Sequence, residues 1–592
     1  MKKIIYFLLT ALIGAAAVSC DLEEQPISAT GRDAIFGNED GLKLYVNSLY
    51  GTPPQHGWVD LGDGYGFKCF RGTIEQFDPS YNGADRAVKL YYGTPRACNY
   101  FLENNTNKAV SEEIRNNYNG IVRYFRAMWY ADQMRSYSDF PIIDHVVDIN
   151  DMEALYPTRN PRSEVAEFIY EDFKYALDNI IKQTEANASV ITKNVVAFQM
   201  SRFCLNEASW RKYHSELNLA STANDWYRRA VEAAEVVINS GKQSLHANWL
   251  ELFQAAKPTT IADEGIFIWQ YGSAINSYHC STKSENSPSF YGGPNNRNRI
   301  FVNMILNADG SRFTDNEAYK TMLFADECKG RDPRFAMTFR TPAYERIQTD
   351  GKKHKAGLAM DLNYNGYLGR KFCSDNERYD NETDETTCVV PMRYAELLLN
   401  WAEAKAELGE FTDADWAASV GAIRKRAGIT GGLDKKPTVA DPYLMKYFKH
   451  TTDATLLEIV RERFVELLGE GHSQKDIYRW GETQIIELPQ YGMYVEALDT
   501  PLDLDADGEA DTYFYTTENI PADAVKTITY VPIDGTPGLG IKKRLLSVAE
   551  DGHTLVYNCL VERPKFMERC YYSPISTQDI VLNPKLKQTP GW

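Results

Sequence analysis

The stretch Pro391-Met-Arg-Tyr-Ala-Glu-Leu-Leu-Leu-Asn-Trp-Ala-Glu-Ala-Lys-Ala-Glu-Leu-Gly409 decides how this chain folds. Tyr394, Leu397, Leu398, Trp401, Ala402 and Leu408 recur at i, i+3, i+4, i+7 spacing, with a Pro ahead of the run and a Gly past its end. The spacing predicts a helix whose apolar stripe faces a partner helix. Further helical patterns follow over 416–427 and 456–468. Toward the N-terminus the same period recurs over 35–50, 98–103, 118–137, 165–181, 195–213 and 226–240.

In the 226–234 run, Trp226, Tyr227, Ala230, Val231 and Ala234 alternate aromatic and small residues, as tetratricopeptide helices do. Small residues at such positions let paired helices approach closely. With the pair at 394–427, about four such helix pairs are expected, which makes a mainly α, solenoid-like scaffold. The period fades between 263 and 387, where Ile266-Phe267-Ile268-Trp269 predicts a short strand and 278–299 is rich in Asn, Ser, Gly and Pro. The 51–93 stretch is also turn-rich and carries Trp58, Tyr65, Phe67, Phe70, Phe77, Tyr81, Tyr91 and Tyr92. Long irregular segments of this kind usually carry function.

The first residues read as a processing signal: Lys2 and Lys3, an apolar run from Ile4 to Ile13, then mostly small residues before Cys20. Ten apolar residues fall short of a membrane span. Small residues before a Cys predict cleavage at a lipobox and lipidation of Cys20, although Ala17 stands where Leu is usual. An ordinary secretory signal with an incidental Cys is the alternative. The net charge of −17, with no basic stripe, argues against a nucleic-acid partner. The cysteines form no CxxC pair, so a zinc site is not expected. Cys373 and Cys388 are placed to close one loop.

Beyond the 391–409 run, the chain carries Glu462, Arg463, Glu466, Glu470, Gly471, His472, Asp476, Arg479, Trp480 and Gly481. It closes on Pro574-Ile575, Asn583-Pro584, Leu586, Gln588 and Pro590-Gly591-Trp592. These segments resemble the RagB/SusD family of nutrient-binding outer-membrane lipoproteins, and the resemblance covers nearly the whole mature chain. It implies a SusD-like fold with four tetratricopeptide-type units on one side and an irregular half that carries the ligand. It divides the chain into a signal peptide (1–19), a lipidated tether (20–34), an N-terminal helical region (35–250) and a C-terminal region completing the same unit (251–592). Asp21, Glu23 and Glu24 resemble the surface-export signal of such lipoproteins. Ser473, Gln474 and Lys475 depart from the family, which often has Arg and aromatics there.

The resemblance implies binding and no catalysis: capture of an oligosaccharide, with the protein acting as a lid on a TonB-dependent SusC-like transporter. Peptide cargo on the same fold is the first alternative, and a surface glycosidase the second. Glu462, Glu466 and Glu470 lie four apart on one helix beside Arg461 and Arg463, so an ion-pair network is the expected reading. A glycosidase needs two carboxylates flanking a cleft, and the sequence nominates none. GxSxG, HExxH and Walker motifs are absent.

Trp58, Tyr81, Tyr91, Tyr278 and Tyr291 sit in polar, Gly-rich contexts and are the candidate sugar-stacking residues. Asn82, Asp85, Arg86, Asn295, Asn296 and Arg297 are the neighbouring candidates for hydroxyl recognition. No cofactor is required. The one metal motif is Asp503-Leu-Asp505-Ala-Asp507-Gly508-Glu509-Ala-Asp511, which resembles the first half of a calcium loop. Phe514 replaces the closing bidentate Glu, and an acidic surface turn is the alternative.

Overall fold

The computed structural model describes residues 31–51, 75–286, 296–360, 363, 365–516, 525–533, 546–557 and 565–592. Lipidation at Cys20 and the Trp58 and Tyr291 nominations lie outside them. The principal helices are α1 (Glu39–Asn47), α2 (Gly93–Asn104), α3 (Glu112–Tyr137), α4 (Arg162–Asn179), α5 (Lys193–Tyr213) and α6 (Ala223–Ser240). After an irregular stretch come α7 (Tyr394–Glu407), α8 (Val420–Ala427), α9 (Ala454–Glu466), α10 (Ser473–Arg479) and α11 (Thr577–Leu582). From α3 to α7 each helix packs on the one before it, and α7 also packs against α9. The fold is mainly α, as the periodicity predicts.

Local chemistry sets the helix ends. Ser111 starts α3 by accepting from the Ile114 N–H at 3.4 Å, and Asp453 starts α9 by accepting from Leu456 at 2.8 Å. Gly241 ends α6 at φ +60°, a left-handed turn that only Gly enters freely. Two expected helices are broken. The 35–50 run divides into Arg32–Phe36 and α1, because Asn38 accepts from the Gly41 N–H at 2.9 Å and starts a new helix. The 416–427 run divides at Ser419 into Asp413–Ala418 and α8. There the Ser419 hydroxyl donates to the Asp415 carbonyl at 2.6 Å.

Ten short strands form four small sheets among the described residues. Gly265–Trp269 pairs antiparallel with Val389–Arg393, with Gly265 opposite Arg393. Most of the others lie in 491–557, where the sequence reading placed none. The core around α3–α6 takes in Met392, Leu397, Trp401 and Ile575, so packing runs across residue 250. A second core gathers residues from 300–368 and 444–570. Cys388 carries a free, buried thiol, so the loop closure expected with Cys373 does not form. No helix of the described residues is long and apolar enough to cross a membrane.

A buried ion-pair network gathers on Glu462 and Glu466 of α9 and on Glu470 just beyond it. Arg334 meets Glu462 at 2.5 Å and Glu466 at 2.7 Å. Arg393 meets Glu466 and Glu470 at 2.6 Å each, and Glu264 at 2.8 Å. Arg424 holds Glu462, Arg426 holds Glu466, and Lys371 holds Glu470. The network reading holds, with two corrections. Glu470 lies past the end of α9 at Glu466, so the three carboxylates do not share one helix. The cations come from distant segments, whereas Arg461 pairs with Asp441 and Glu458, and Arg463 with Asp476.

Candidate functional site

Tyr91 stands just before α2 and is 76% exposed. Its ring lies across Gly93, where a Cβ would sit 2.3 Å from the ring carbons. Glycine at the start of α2 therefore lets an aromatic face stay turned outward. That face borders a concave site of about 630 Å³, walled by Leu90, Ile143, Ile149, Leu155 and Leu582. Arg96, His145, Asp579 and Asn583 supply its polar edges.

Three chain segments far apart in sequence build this wall. Asp579, in the first turn of α11, accepts from the Leu90 N–H at 3.0 Å and from the Ser576 hydroxyl at 2.8 Å. Asn583 donates to the Pro157 carbonyl at 2.9 Å, tying the C-terminal segment to the 138–161 loop. The arrangement is an apolar concavity with one exposed aromatic face and an exposed guanidinium, Asn583 being buried with its amide bonded within the protein. Such a surface suits a ligand with alternating C–H faces and hydroxyl edges.

The other nominated aromatics lie elsewhere. Tyr81 is half-buried and packs edge-on against Trp592 at 5.8 Å between ring centres. Tyr278 is half-buried beside His279, whose ring packs against Tyr271. Asn82 and Asp85 are exposed and bond within their own turn, Asp85 accepting from the Asn82 N–H at 2.9 Å. Arg86 is half-buried. Asn296 and Arg297 depart from the exposed setting expected of them: they are 0% and 3% exposed, where the 296–297 backbone pairs with 367–368. Asn295 lies outside the described residues.

The acidic loop joins strands Pro501–Leu502 and Thr512–Tyr515. Asp503 accepts from the N–H groups of Asp507 and Gly508 at 3.1 and 2.8 Å, and Gly508 takes φ +98°. Carboxylate oxygens of Asp503, Asp505 and Asp511 lie within 4.8 Å of one another. The Asp507 and Glu509 side chains stand outside that cluster. One oxygen each of Asp505 and Asp511 is buried without a hydrogen-bond partner. Burial, then Asp507 and Asp511, push the Asp505 pKa up; burial does the same to Asp511.

The network carboxylates are unsuited to acid–base work. Burial alone would raise the Glu466 pKa, but Arg426, Arg393 and Arg334 outweigh it and hold the group well below the usual range. Glu470 is lowered in the same way, by Arg393 and Lys371 against burial. A glycosidase acid needs the opposite, a carboxyl kept protonated near neutrality.

The profile of the SusD family matches residues 263–592, more than half of the chain. This protein belongs to the SusD family. It is similar to SusD-like protein P2 of Formosa agariphila, 23% identical over 515 residues that cover 80% of this chain and 89% of the relative. Its fold is that of a SusD-like carbohydrate-binding protein from Bacteroides fragilis (TM-score 0.66, 18% identity, 93% of this chain and 100% of the other). A solved structure with xylogluco-oligosaccharide also matches (TM-score 0.55, 16% identity, 92% and 98% covered).

Proposed function

We propose that this chain is a surface-exposed, lipid-anchored outer-membrane protein that captures an oligosaccharide or polysaccharide and delivers it, as a lid, to a TonB-dependent SusC-like transporter. The observation that carries the glycan reading is the outward Tyr91 face on its concave, guanidinium-rimmed site. Family membership supports the lid role, and the leader ending at Cys20 supports the anchor. The protein catalyses nothing on this reading, and the ion-paired α9 carboxylates support that. Electrophoresis through gels cast with single polysaccharides tests capture. One glycan class should retard the protein, and Tyr91→Ala should abolish the retardation. Equal retardation of both proteins would place the ligand elsewhere.

The two buried, unpartnered oxygens of Asp505 and Asp511 support a calcium ion in the 503–511 loop. Asp503, Asp505 and Asp511 would hold it, and the ion would stiffen the loop between its strands. Calcium should raise the melting temperature at pH 7, and Asp505→Asn should remove the gain. A melting temperature indifferent to calcium and chelator contradicts the site.

A further inference from the structure

Gln474 and Lys475, in the first turn of α10, open onto a second cavity of about 430 Å³. It lies between the C-terminal end of α3, the middle of α5, the first turns of α10 and the 570–573 segment. Lys475 and Arg135 line it, together with the amides of Asn206 and Gln474. Trp210, stacked on His214 with ring centres 3.9 Å apart, forms a rigid part of the wall.

The charges here do not balance. Arg135 pairs with Asp132 at 3.2 Å, and Arg202 pairs with Glu396 at 2.6 Å. Arg463 and Arg479 share Asp476 and Glu403. The half-buried Lys475 side chain has neither an ion pair nor a hydrogen-bond acceptor among the described residues. No carboxylate lines the cavity. An enclosed cation without a partner costs stability that a bound anion would recover. The Asn206 amide makes no hydrogen bond within the described protein, and Gln474 donates only to the Tyr478 hydroxyl, at 3.1 Å.

We propose that this cavity is a binding site for the carboxylate of a uronic acid, with Lys475 and Arg135 supplying the charge and Asn206 and Gln474 bonding the ring hydroxyls. An amine or a free amino acid fits poorly, because no acidic side chain would meet its ammonium group. A neutral sugar leaves Lys475 unpaired. The site is separate from the Tyr91 concavity and stands or falls independently of it.

The site also has a pH signature. Burial, Arg135 and Arg202 pull the Lys475 pKa down to about 8, against Asp132 and Glu396. The ammonium is charged below that value, so uronate binding is present at neutral pH and fades as the pH rises through it. The groups facing Lys475 are Asp132 and Arg135 on α3, Arg202 on α5, Glu396 on α7, and His472 and Asp476 on its own turn. Glu396 and Asp476, both held low by neighbouring guanidinium groups against burial, keep their charge between pH 7 and 9.

Calorimetry of the full chain with galacturonate, glucuronate, galactose and acetate tests the proposal. At least one uronate should bind, galactose should not, and acetate should bind more weakly than the uronate. Lys475→Gln should weaken uronate binding at least about tenfold, Lys475→Arg should restore most of it, and Tyr91→Ala should leave it unchanged. A melting temperature for unliganded Lys475→Gln at or above that of the parent would show that the variant folds. Silence with both uronates, galactose binding equal to uronate, acetate binding as tight as uronate, or an unaffected Lys475→Gln would each overturn it.

Discussion

Glu466 is the residue on which most of the buried charge turns. Arg334, Arg393 and Arg426 all end on it, and the Trp249 indole N–H donates to it at 3.0 Å. Removing its charge leaves three guanidinium groups without their common partner. Glu466→Gln should therefore cost about 3–5 kcal/mol in urea denaturation, and a loss under about 1 kcal/mol would show that the network rearranges. Two buried histidines, His214 and His472, shape the upper part of the pH response, and burial lowers the pKa of both. At His472, burial, aided by Arg202 and Lys475 and opposed by Glu396, pulls the pKa down to about 4. The unfolded imidazole takes up a proton near pH 6.5. Stability is thus lost as pH falls from about 6.5 to 4, because only the unfolded chain binds the proton there. Glu396 and Glu458, held near 2 by their arginines against burial, add a second loss as the pH falls from about 4.5. His472→Gln should make the melting curve shallower above pH 4.5, His214 keeping part of the slope, and leave the acid limb. An unchanged upper limb would assign that titration to another group.

At the scale of elements, Gly421 shows where helix propensity gives the wrong sign. Alanine in a helix interior normally gains about 1 kcal/mol over glycine. A Cβ at 421 would sit 2.0 Å from the Leu433 carbonyl oxygen, a backbone atom. Gly421→Ala should destabilise by about 1–3 kcal/mol, and a measured gain in urea midpoint would contradict the close approach. This level was the most legible in the sequence. The runs 118–137, 195–213 and 394–408 stand as helices because their apolar periodicity spans many turns, and α5 to α7 bury most of one face. Breaks at Asn38 and Ser419 hinge on single side-chain-to-backbone bonds, which leave no trace in periodicity. The short strands of 491–557 were missed because runs of two to four residues are too brief to show alternation. Asn296 and Arg297 looked like surface polar residues, yet backbone pairing with 367–368 draws them inward. The Tyr91 concavity was half visible: its aromatic stood out, but Arg96, His145, Asp579 and Asn583 converge only through tertiary packing.

For the whole molecule, several hydrophobic cores and a buried ion-pair network support the elements that carry the binding face. The α2–α7 succession presents a broad helical side, and the Tyr91 concavity lies where α2, the 138–161 loop and the C-terminal segment meet. On the proposed function, the helical side is the surface available to a transporter and the concavity holds the cargo. Tyr91 is largely exposed, so Tyr91→Ala should change stability by no more than about 0.5 kcal/mol, and a binding defect in that variant can be read as lost contact. The most direct measurement is calorimetry of the purified protein against a panel of neutral polysaccharides and peptide mixtures, with product analysis of each sample. The account predicts heat with one glycan class, no released product, and loss of that heat in Tyr91→Ala. Binding to peptides alone, or release of shortened glycan, would contradict it.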